Sequence, residues 1–460
     1  MTAATPVDKA VAFARANRAE AERDLAELIA IPSISTYSEN KPDMVRAAQW
    51  LLARLAKIGF QPRLLPAGGG PDVVYAERAG AAKNAPTLLL YGHYDVQPAE
   101  PLDEWKSPPF EAQVRGENIY ARGASDMKGP LVACLAALEA ALSAGPLPVN
   151  VKFLLEGEEE IGSPNIEAFL KENLKLFACD AVLNSDTMLV SPDLPAIVYG
   201  LRGLAYYEIR VETAEHDLHS GLFGGAVPNA GQALCELIAG MHDSDGRVTL
   251  PHFYDDVFAL DPEERAELAR VPFSEREFLE QATARGVNGE TGYTVTERIG
   301  ARPTLEVNGL LSGFTGQGSK TVLPARAMAK ISMRLVPNQT DSRVKRQLEK
   351  YFRAHAPAWL KWEIIDLAGG PAALVKRDTP AIQAAVRALE AAFGVKPVFI
   401  REGGSVPVVS LMQELLGRES ILMGISLPDD NLHAPNEKLH LPTFHKGIEA
   451  YIHLLYELAN

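Results

Sequence analysis

Apolar segments typical of buried strands alternate with Ala- and Leu-rich segments typical of helices through the first 200 residues. Strand-like segments occur at 87–95 (TLLLYGHYD), 150–160 (NVKFLLEGEEE) and 179–186 (CDAVLNSD), and a helical segment lies at 129–142 (GPLVACLAALEAAL). Strands that are buried on both faces and separated by helices are typical of a parallel sheet covered on both sides. The pattern therefore predicts an α/β fold with a mostly parallel sheet flanked by helices.

The pattern changes in the middle of the chain. Segments such as 204–214 (LAYYEIRVETA) and 327–337 (AMAKISMRLVP) alternate apolar and polar residues, as strands with one buried face do. The α/β pattern then returns and continues to the end of the chain. We therefore predict that residues 1–203 and 373–460 form one domain, and that residues 204–372 form a smaller α+β domain inserted into it.

Charge and composition exclude several classes of partner. Lys and Arg together number 45 and Asp and Glu 59, and the net charge of −14 argues against nucleic acid or an anionic membrane surface. The longest apolar stretch, at 130–145, is interrupted by Glu139 and is shorter than the roughly twenty residues of a membrane-spanning helix. The amino-terminal segment lacks the pattern of an export signal, and the three cysteines are widely spaced. We expect a cytoplasmic protein with reduced thiols and no membrane partner.

Acidic and imidazole side chains follow the predicted strands. Because the carboxyl ends of strands in an open α/β sheet converge on one crevice, side chains from distant parts of the chain can meet there. Carboxylates mixed with imidazoles suit zinc, cobalt or manganese, and one carboxylate can bridge two ions about 3.5–4 Å apart in a hydrolytic pair. The pattern thus indicates a hydrolytic site with two metal ions. The candidate residues are His93, Asp95, Asp126, Glu159, Glu160, Asp186 and His433.

Each candidate taken alone has a simpler structural explanation. His93 can be an ordinary histidine at a strand end, and the acidic run 158–160 can be the first turn of a helix, where acids are favoured. Asp126 can cap the helix that follows it, and Asp186 can be a turn residue. These explanations do not account for the joint occurrence of all of them after apolar strands. If the strand continues to Asp95, this residue shares a strand face with His93 and can hold its second ring nitrogen.

Nine short motifs resemble those of the M20 family of metallopeptidases, within the branch of long-lid dipeptidases that includes cytosolic non-specific dipeptidase and carnosinase. They run in family order from residue 92 to residue 439, and so cover nearly the whole chain. The motifs are GHYDVQPA, RGASDMKGP, LEGEEEIGS, NSDT, DLHSGLFGGAVPNA, GFTGQGSKTVLPA, RLVPNQ, REGGSVPV and LHAPNEKL.

The resemblance implies two divalent metal ions per subunit, with zinc as the first choice and manganese or cobalt as alternatives. His93, Asp126 and Asp186 resemble the ligands of one ion. Asp126, Glu160 and His433 resemble the ligands of the other, so that Asp126 bridges the pair. The peptide bond after this bridging aspartate is expected to be cis.

The resemblance also implies catalytic and substrate-binding roles. Glu159 resembles the general base, Asp95 the residue that orients His93, and His219 a residue that one subunit lends to its neighbour's active site. The inserted domain would then serve as a lid and as the interface of a homodimer. The positions that resemble substrate-binding residues are Asp186, His219, Thr321, Arg334, Ser405 and His433.

The implied reaction is hydrolysis of dipeptides or short peptides with a free C-terminal carboxylate, through a hydroxide shared by the two ions and Glu159 as general base. The planar guanidinium of Arg334 suits the terminal carboxylate of such a substrate. Two alternatives remain open: an N-acyl-amino-acid deacylase or carboxypeptidase of the same family, and a catalytically inactive, receptor-like relative. The long segment 240–308 favours the dipeptidase branch. A phosphate loop at 313–321 is rejected, because Lys320 stands one position too late and a Pro-interrupted strand follows.

Overall fold

The computed structural model describes residues 4–404 and 406–460. Helix ends follow the local sequence. The helix at 380–393, for example, begins after Thr379, whose hydroxyl accepts a hydrogen bond from the amide of Ile382, and ends at Gly394 with a φ of +78°. The helices of the described residues are α1 (Pro6–Ala16), α2 (Arg18–Ile29), α3 (Lys41–Lys57), α4 (Lys128–Ala144), α5 (Ile166–Asn173), α6 (Ser220–Phe223), α7 (Ala230–Ala239), α8 (Pro262–Leu268), α9 (Glu275–Ala282), α10 (Val295–Ala301), α11 (Asp341–His355), α12 (Pro380–Phe393), α13 (Pro407–Leu416) and α14 (Leu441–Glu457).

Strands of the described residues form one large sheet and three smaller ones. Their bounds are β1 (Arg63–Leu65), β2 (Val73–Arg78), β3 (Thr87–His93), β4 (Gln113–Arg115), β5 (Asn118–Tyr120), β6 (Asn150–Glu156), β7 (Ala181–Asn184), β8 (Ala196–Leu201), β9 (Gly203–Glu212), β10 (Leu218–His219), β11 (Glu306–Ser312), β12 (Val322–Leu323), β13 (Arg326–Leu335), β14 (Lys361–Gly370), β15 (Ala373–Leu374), β16 (Val398–Glu402), β17 (Ser420–Leu422) and β18 (Lys438–His440).

The large sheet has the strand order β1-β2-β6-β3-β7-β17-β8-β15, with β16 paired to β8. Its central strands β6, β3, β7 and β17 are parallel, and antiparallel pairs occur toward both edges. The parallel strands are joined through helices, as α4 joins the β3 region to β6. The predicted fold class, a sheet with a parallel centre flanked by helices, is confirmed.

Strand β3 is buried on both faces, as its continuous apolar sequence predicts. Leu88 and Leu90 belong to a core that includes residues of α4 and α14. Leu89 and Tyr91 belong to a second core, which includes residues of α5 and α13. Alternate side chains of a strand point to opposite faces, so the two cores lie on the two sides of the sheet.

The four-stranded antiparallel sheet β11-β13-β9-β14 has its own core. Ile209 of β9 and Ile331 of β13 are fully buried there with Leu234 of α7 and Leu348 of α11. These strands run from Gly203 to Gly370, inside the region predicted to be the insert but for one residue, and the domain boundaries themselves stay a prediction. Helix α8 packs differently, because its Leu268 joins the core of the large sheet.

No helix among the described residues is both long enough and apolar enough to cross a bilayer. The thiols of Cys134 and Cys179 are buried, Cys235 is exposed, and the described structure contains no bond between them.

Candidate metal centre and active site

Three central parallel strands of the large sheet have their carboxyl ends side by side. His93, the last residue of β3, pairs in register with Glu156, the last residue of β6, and Tyr91 pairs with Asn184 at the end of β7. The turns that follow these strands therefore start from the same edge. They carry most of the predicted acidic residues, which explains why residues distant in the chain converge.

The remaining ligand candidates come from two loops. Asp126 stands just before α4, and the peptide bond to Met127 is cis, as expected from the resemblance. His433 lies in the loop before β18 with a φ of +60°, a backbone conformation that non-glycine residues rarely adopt. The surrounding loop must hold His433 in this conformation.

The structure brings the five predicted ligand side chains together. The Nε2 atom of His93 lies 3.2 Å from Oδ1 of Asp126 and 3.6 Å from Oδ2 of Asp186. The Nε2 atom of His433 lies 2.8 Å from Oδ2 of Asp126 and 3.3 Å from Oε2 of Glu160. Asp126 thus stands between the two imidazoles and offers one oxygen to each. This is the position expected of a bridging carboxylate.

The division of ligands between two ions is less sharp than the resemblance implies. One set of ligand atoms mutually within 4.8 Å joins His93, Asp126 and Glu160, and another joins His93, Glu159 and Asp186. The first set mixes residues predicted to bind different ions, and the second includes the predicted general base. The assignment of each ligand to one ion therefore stays a prediction.

The donor set fits a divalent metal. His93 is fully buried, and its Nδ1 atom lies 3.1 Å from the carbonyl oxygen of Asp95 and 3.3 Å from its carboxylate. The Nε2 atom, also buried, has no hydrogen-bond partner with acceptable geometry among the described residues. A buried polar atom without a partner is costly, and a metal ion would satisfy it. Carboxylates and imidazoles are ligands that zinc, manganese and cobalt accept.

Burial and mutual repulsion change the pKa values of the acidic side chains in this cluster. Burial, reinforced by nearby carboxylates, raises the pKa of Glu159 well above its usual value and also raises the pKa values of Glu160 and Asp186. Burial acts on Asp126 in the same direction, but the contacts with His433 and His93 outweigh it and lower the pKa of Asp126. The cluster brings more carboxylates than imidazoles together, and a bound cation would offset the mutual repulsion of these carboxylates.

Hydrogen bonds from the chain orient this cluster. The fully buried Asp95 carboxylate accepts the amide hydrogens of Glu159, at 3.3 Å, and of Glu160, at 3.1 Å. The side-chain amide of Gln97 donates from Nε2 to the Glu160 carboxylate at 2.9 Å. Asp95 therefore connects His93 to the turn that carries both glutamates, in keeping with its predicted orienting role.

The predicted substrate-binding residues of the insert lie on other strands. His219 of β10 pairs in register with Val322 of β12, and the amide of Ser220 donates to the carbonyl oxygen of Thr321 at 3.1 Å. The His219 and Thr321 residues are exposed, and the hydrogen bonds of the described residues do not connect either side chain to the ligand cluster. Arg334 lies on β13 opposite Leu204 of β9. The predicted role of Ser405 falls outside the described residues.

Sequence reasoning missed several buried polar residues around the centre. Lys128 is fully buried and donates from Nζ to the carbonyl oxygens of Leu28, at 3.1 Å, and Ile31, at 2.6 Å, and burial lowers its pKa to about 7. Glu437 is fully buried beside the Asp126 turn. Both stand within the motifs RGASDMKGP and LHAPNEKL, and this proximity to the candidate ligands was the only sequence signal for them.

An α/β sheet whose strand ends gather carboxylates and imidazoles around a cation site defines a metal-dependent hydrolase. Residues 89–457 match the family described as Peptidase family M20/M25/M40. The chain belongs to this family and is a metallopeptidase.

Curated relatives match along most of their length. The chain is 32% identical over 452 residues to the Cys-Gly metallodipeptidase dug1 of Schizosaccharomyces pombe, which covers 95% of each chain. It is 32% identical over 421 residues to the Beta-Ala-His dipeptidase of Homo sapiens, covering 89% of this chain and 83% of the relative. Among solved structures, the M20 family metallo-carboxypeptidase Sso-CP2 from Sulfolobus solfataricus has a TM-score of 0.84 and 34% identity, covering 96% of this chain and 99% of that one.

Proposed function

We propose that this protein is a dipeptidase that uses two metal ions to hydrolyse dipeptides or short peptides with a free C-terminal carboxylate. The observation that carries the proposal is the cluster in which Asp126 stands between His93 and His433, with Asp186, Glu160 and the acid Glu159 around it. The names of the relatives, a Cys-Gly metallodipeptidase and a Beta-Ala-His dipeptidase, support a dipeptide as substrate.

His93, Asp126, Asp186, Glu160 and His433 would hold the ions, with zinc as our first choice and manganese or cobalt as alternatives. When bound, divalent ions acidify water and polarise a carbonyl group. Glu159 then accepts a proton from the water that attacks the carbonyl carbon, and passes it to the amine nitrogen as the C–N bond breaks. Burial raises the pKa of Glu159, and this direction makes its carboxylate a stronger proton acceptor than an exposed glutamate.

A pair of arginines supports recognition of the substrate carboxylate. Arg334 is opposite Leu204, and Arg202 stands two residues before Leu204, so Arg202 and Arg334 are diagonal neighbours if the β9–β13 ladder continues. The Nε atom of Arg202 donates to the carbonyl oxygen of Gly403 at 3.1 Å. Burial, together with the charge of Arg334, lowers the pKa of Arg202 to about 10. Two neighbouring guanidinium groups favour an anion between them.

His219, Thr321 and Ser405 complete the proposed substrate site. In this proposal the insert closes over the cluster as a lid and forms the interface of a homodimer, through which His219 reaches the active site of the neighbouring subunit. His219 at the end of β10 and Thr321, just before β12, are both exposed, which supports a role toward a group outside their own domain.

A substrate panel tests the proposal. Chelated enzyme is reloaded with zinc or manganese and assayed on L,L-dipeptides, carnosine, a tripeptide, an amidated dipeptide, N-acetyl amino acids and N-succinyl-diaminopimelate. We expect metal-dependent cleavage of the dipeptides with a free carboxylate and little cleavage of the amidated one. Equal rates on both would contradict carboxylate recognition, and the absence of turnover by a metal-loaded enzyme would contradict the dipeptidase function.

A carboxypeptidase acting on longer peptides is the second candidate. The structural similarity to Sso-CP2 favours it, because 34% identity over almost the full length of that carboxypeptidase matches the identity to the dipeptidases. The rate of tripeptide hydrolysis distinguishes a carboxypeptidase from a dipeptidase. Release of its C-terminal residue at the dipeptide rate would favour the carboxypeptidase, and preference for acylated amino acids would favour a deacylase of the same family.

A further inference from the structure

We propose that Glu437 is a positioning residue of the metal centre, whose carboxylate fixes the turn carrying Asp126 and joins it to the loop carrying His433. This inference rests on the proposed function, because it takes Asp126 and His433 as metal ligands. The residue touches neither substrate nor metal in this proposal. It acts through the backbone to which Asp126 belongs.

The carboxylate of Glu437 is surrounded by four donors from one turn. Its Oε2 atom accepts from Nη1 of Arg122, at 2.7 Å, and from the amide of Gly123, at 3.0 Å. Its Oε1 atom accepts from the amides of Ser125, at 2.9 Å, and of Asp126 itself, at 3.1 Å. The turn 122–126 thus surrounds an anion with three backbone amides and one guanidinium group, and the chain supplies that anion itself.

This contact is closed to solvent. The side chains of Arg122 and Glu437 are 1% and 0% exposed. A carboxylate at such a place needs nearby donors in place of the lost water, and four donors contact it here. Both oxygens of the carboxylate accept hydrogen bonds from N–H groups. In a glutamine, one oxygen would be replaced by an NH2 group, whose hydrogens would face N–H donors and could not accept from them. The site is therefore built for a carboxylate and not merely for a polar side chain.

A second carboxylate joins the same two loops. Asp430 accepts a hydrogen bond from the hydroxyl of Ser125 at 2.7 Å, from the amide of Leu427 at 2.7 Å, and from Nζ of Lys438 at 3.1 Å. Asp430 and Glu437 stand on either side of His433 in the chain. Together they hold the His433 loop against the Asp126 turn at two points.

The arrangement explains how ligands from two distant segments meet. The distance of 2.8 Å between Nε2 of His433 and Oδ2 of Asp126 joins residues 307 positions apart. His433 lies between β17 and β18, outside the strands, and has a φ of +60°. Without the contacts of Glu437, the His433 loop would be held to the Asp126 turn mainly through Ser125, which bonds Asp430 and Ser426, and the backbone amide of Asp126 would lose its contact with that loop. We infer that Glu437 sets the affinity of the centre for metal.

The test measures metal binding as well as activity. Glu437→Gln is made metal-free, its fold is checked by circular dichroism, and zinc binding is measured by competition with a chromophoric chelator. Substitution of a residue that orients a metal ligand typically lowers metal affinity or activity 10- to 100-fold. We expect at least about 10-fold weaker binding of one ion or both, a lower kcat at limiting zinc, an unchanged KM for the dipeptide, and recovery of kcat with excess zinc.

A matched control separates positioning from general stability. Glu290 in the insert is also buried, and its carboxylate accepts from Nε of Arg302 at 2.7 Å and from Nη2 at 2.8 Å, with both side chains 5% exposed. Glu290→Gln removes a similar buried ion pair away from the ligand cluster. We expect it to lower the unfolding temperature and to leave zinc affinity unchanged.

The outcomes distinguish this inference from the proposed function. Wild-type zinc affinity in folded Glu437→Gln would overturn the positioning role. If that variant does not fold, Arg122→Lys replaces it. A lysine keeps the positive charge but cannot contact both Glu437 and the carbonyl oxygen of Pro98 as the guanidinium does. Wild-type zinc affinity in this second variant would overturn the positioning role. Failure of the wild-type protein to bind zinc, manganese or cobalt would instead count against the proposed function.

Discussion

Glu159 and Glu160 are neighbours in the chain but have different surroundings. The Glu160 carboxylate accepts a hydrogen bond from Gln97 at 2.9 Å and lies 3.3 Å from Nε2 of His433. The Glu159 carboxylate has no hydrogen-bond donor among the described residues, and burial raises its pKa well above the usual value. Fixed contacts suit a ligand, whereas a carboxylate without them is available to exchange a proton. The difference supports separate roles for the two residues.

Replacing Glu159 by glutamine should therefore affect turnover and not metal content. Glutamine keeps the shape of the side chain but cannot accept the proton of the attacking water, and loss of a general base typically costs 10²- to 10⁴-fold in rate. We expect kcat to fall in that range while metal analysis of the purified variant still gives the wild-type content. The control is Glu158→Gln, because Glu158 is buried and accepts from Asn165 at 2.8 Å outside the cluster. Near-normal kcat in metal-loaded Glu159→Gln would remove Glu159 from this role.

The buried carboxyl group of Glu156 should make the stability of the protein depend on pH. Burial raises its pKa from 4.5 to about 7, although the hydroxyl of Tyr91 donates to it at 2.8 Å. Between these pH values the folded protein holds one proton more than the unfolded chain at this residue, so the free energy of unfolding falls as pH rises from 4.5 to 7. The size of the effect is at most about 3 kcal/mol.

Urea unfolding of metal-free protein at several pH values checks this dependence. Glu156→Gln removes the titrating group and keeps a polar side chain near Tyr91. The free energy of unfolding of the wild-type protein minus that of the variant should be largest near pH 5 and should decline toward pH 8. A difference that stays constant over this range would show that Glu156 does not hold a proton in the folded state.

Helix α4 carries the link between the core and the candidate metal centre. It begins two residues after Asp126, and its apolar side chains, such as Leu131 and Leu135, are buried in the large core. Gly129 allows this helix to begin close to the preceding turn, because a Cβ atom there would lie 2.2 Å from the carbonyl oxygen of Ala124 and 2.6 Å from Leu439. The backbone oxygen cannot move without moving the Asp126 turn.

Gly129→Ala should therefore destabilise the protein and disturb the centre together. Overpacking of a closely packed region typically costs about 1–3 kcal/mol. We expect a lower midpoint in urea and weaker zinc binding in the chelator competition. Gly286→Ala serves as the control, because a Cβ atom at Gly286 has no neighbour within 4 Å, and its effect should stay within about 0.5 kcal/mol. Unchanged zinc binding in Gly129→Ala would show that the Asp126 turn tolerates the shift.

At the scale of the whole molecule, the alternation of strand and helix patterns predicted the fold class, because strands buried on both faces leave an unbroken apolar sequence. The same strands predicted the meeting of His93 and Asp186, since their ends share one sheet edge. Contacts between loops could not be predicted in this way. The buried Glu437 has the same sequence appearance as a surface acid, and Leu268 of the 240–308 segment packs on the large-sheet core although its neighbours belong to the predicted insert.

Subunit exchange would test the proposed homodimer at this scale. His219 is exposed, and the hydrogen bond to its ring from the amide of Gly221, at 3.0 Å, is local, which leaves the imidazole free to act on another chain. If His219 serves the neighbouring site, a heterodimer of His219→Ala and Glu159→Gln subunits has one complete site, with Glu159 from the first subunit and His219 from the second. The other site of that heterodimer lacks both residues. Two inactive variants should then form a partly active mixture.

The expected recovery follows from the symmetry of a dimer. Equal amounts of the two variants that exchange freely give half heterodimers, each with one complete site of two, so about a quarter of the wild-type kcat should return. The control mixes His219→Ala with a chain that carries both substitutions at 159 and 219, which cannot build a complete site in either arrangement. Recovery confined to the first mixture would assign His219 to the partner's site. Mass-verified heterodimers without recovery would place its action within its own chain, and the insert would then need no second subunit to complete the active site.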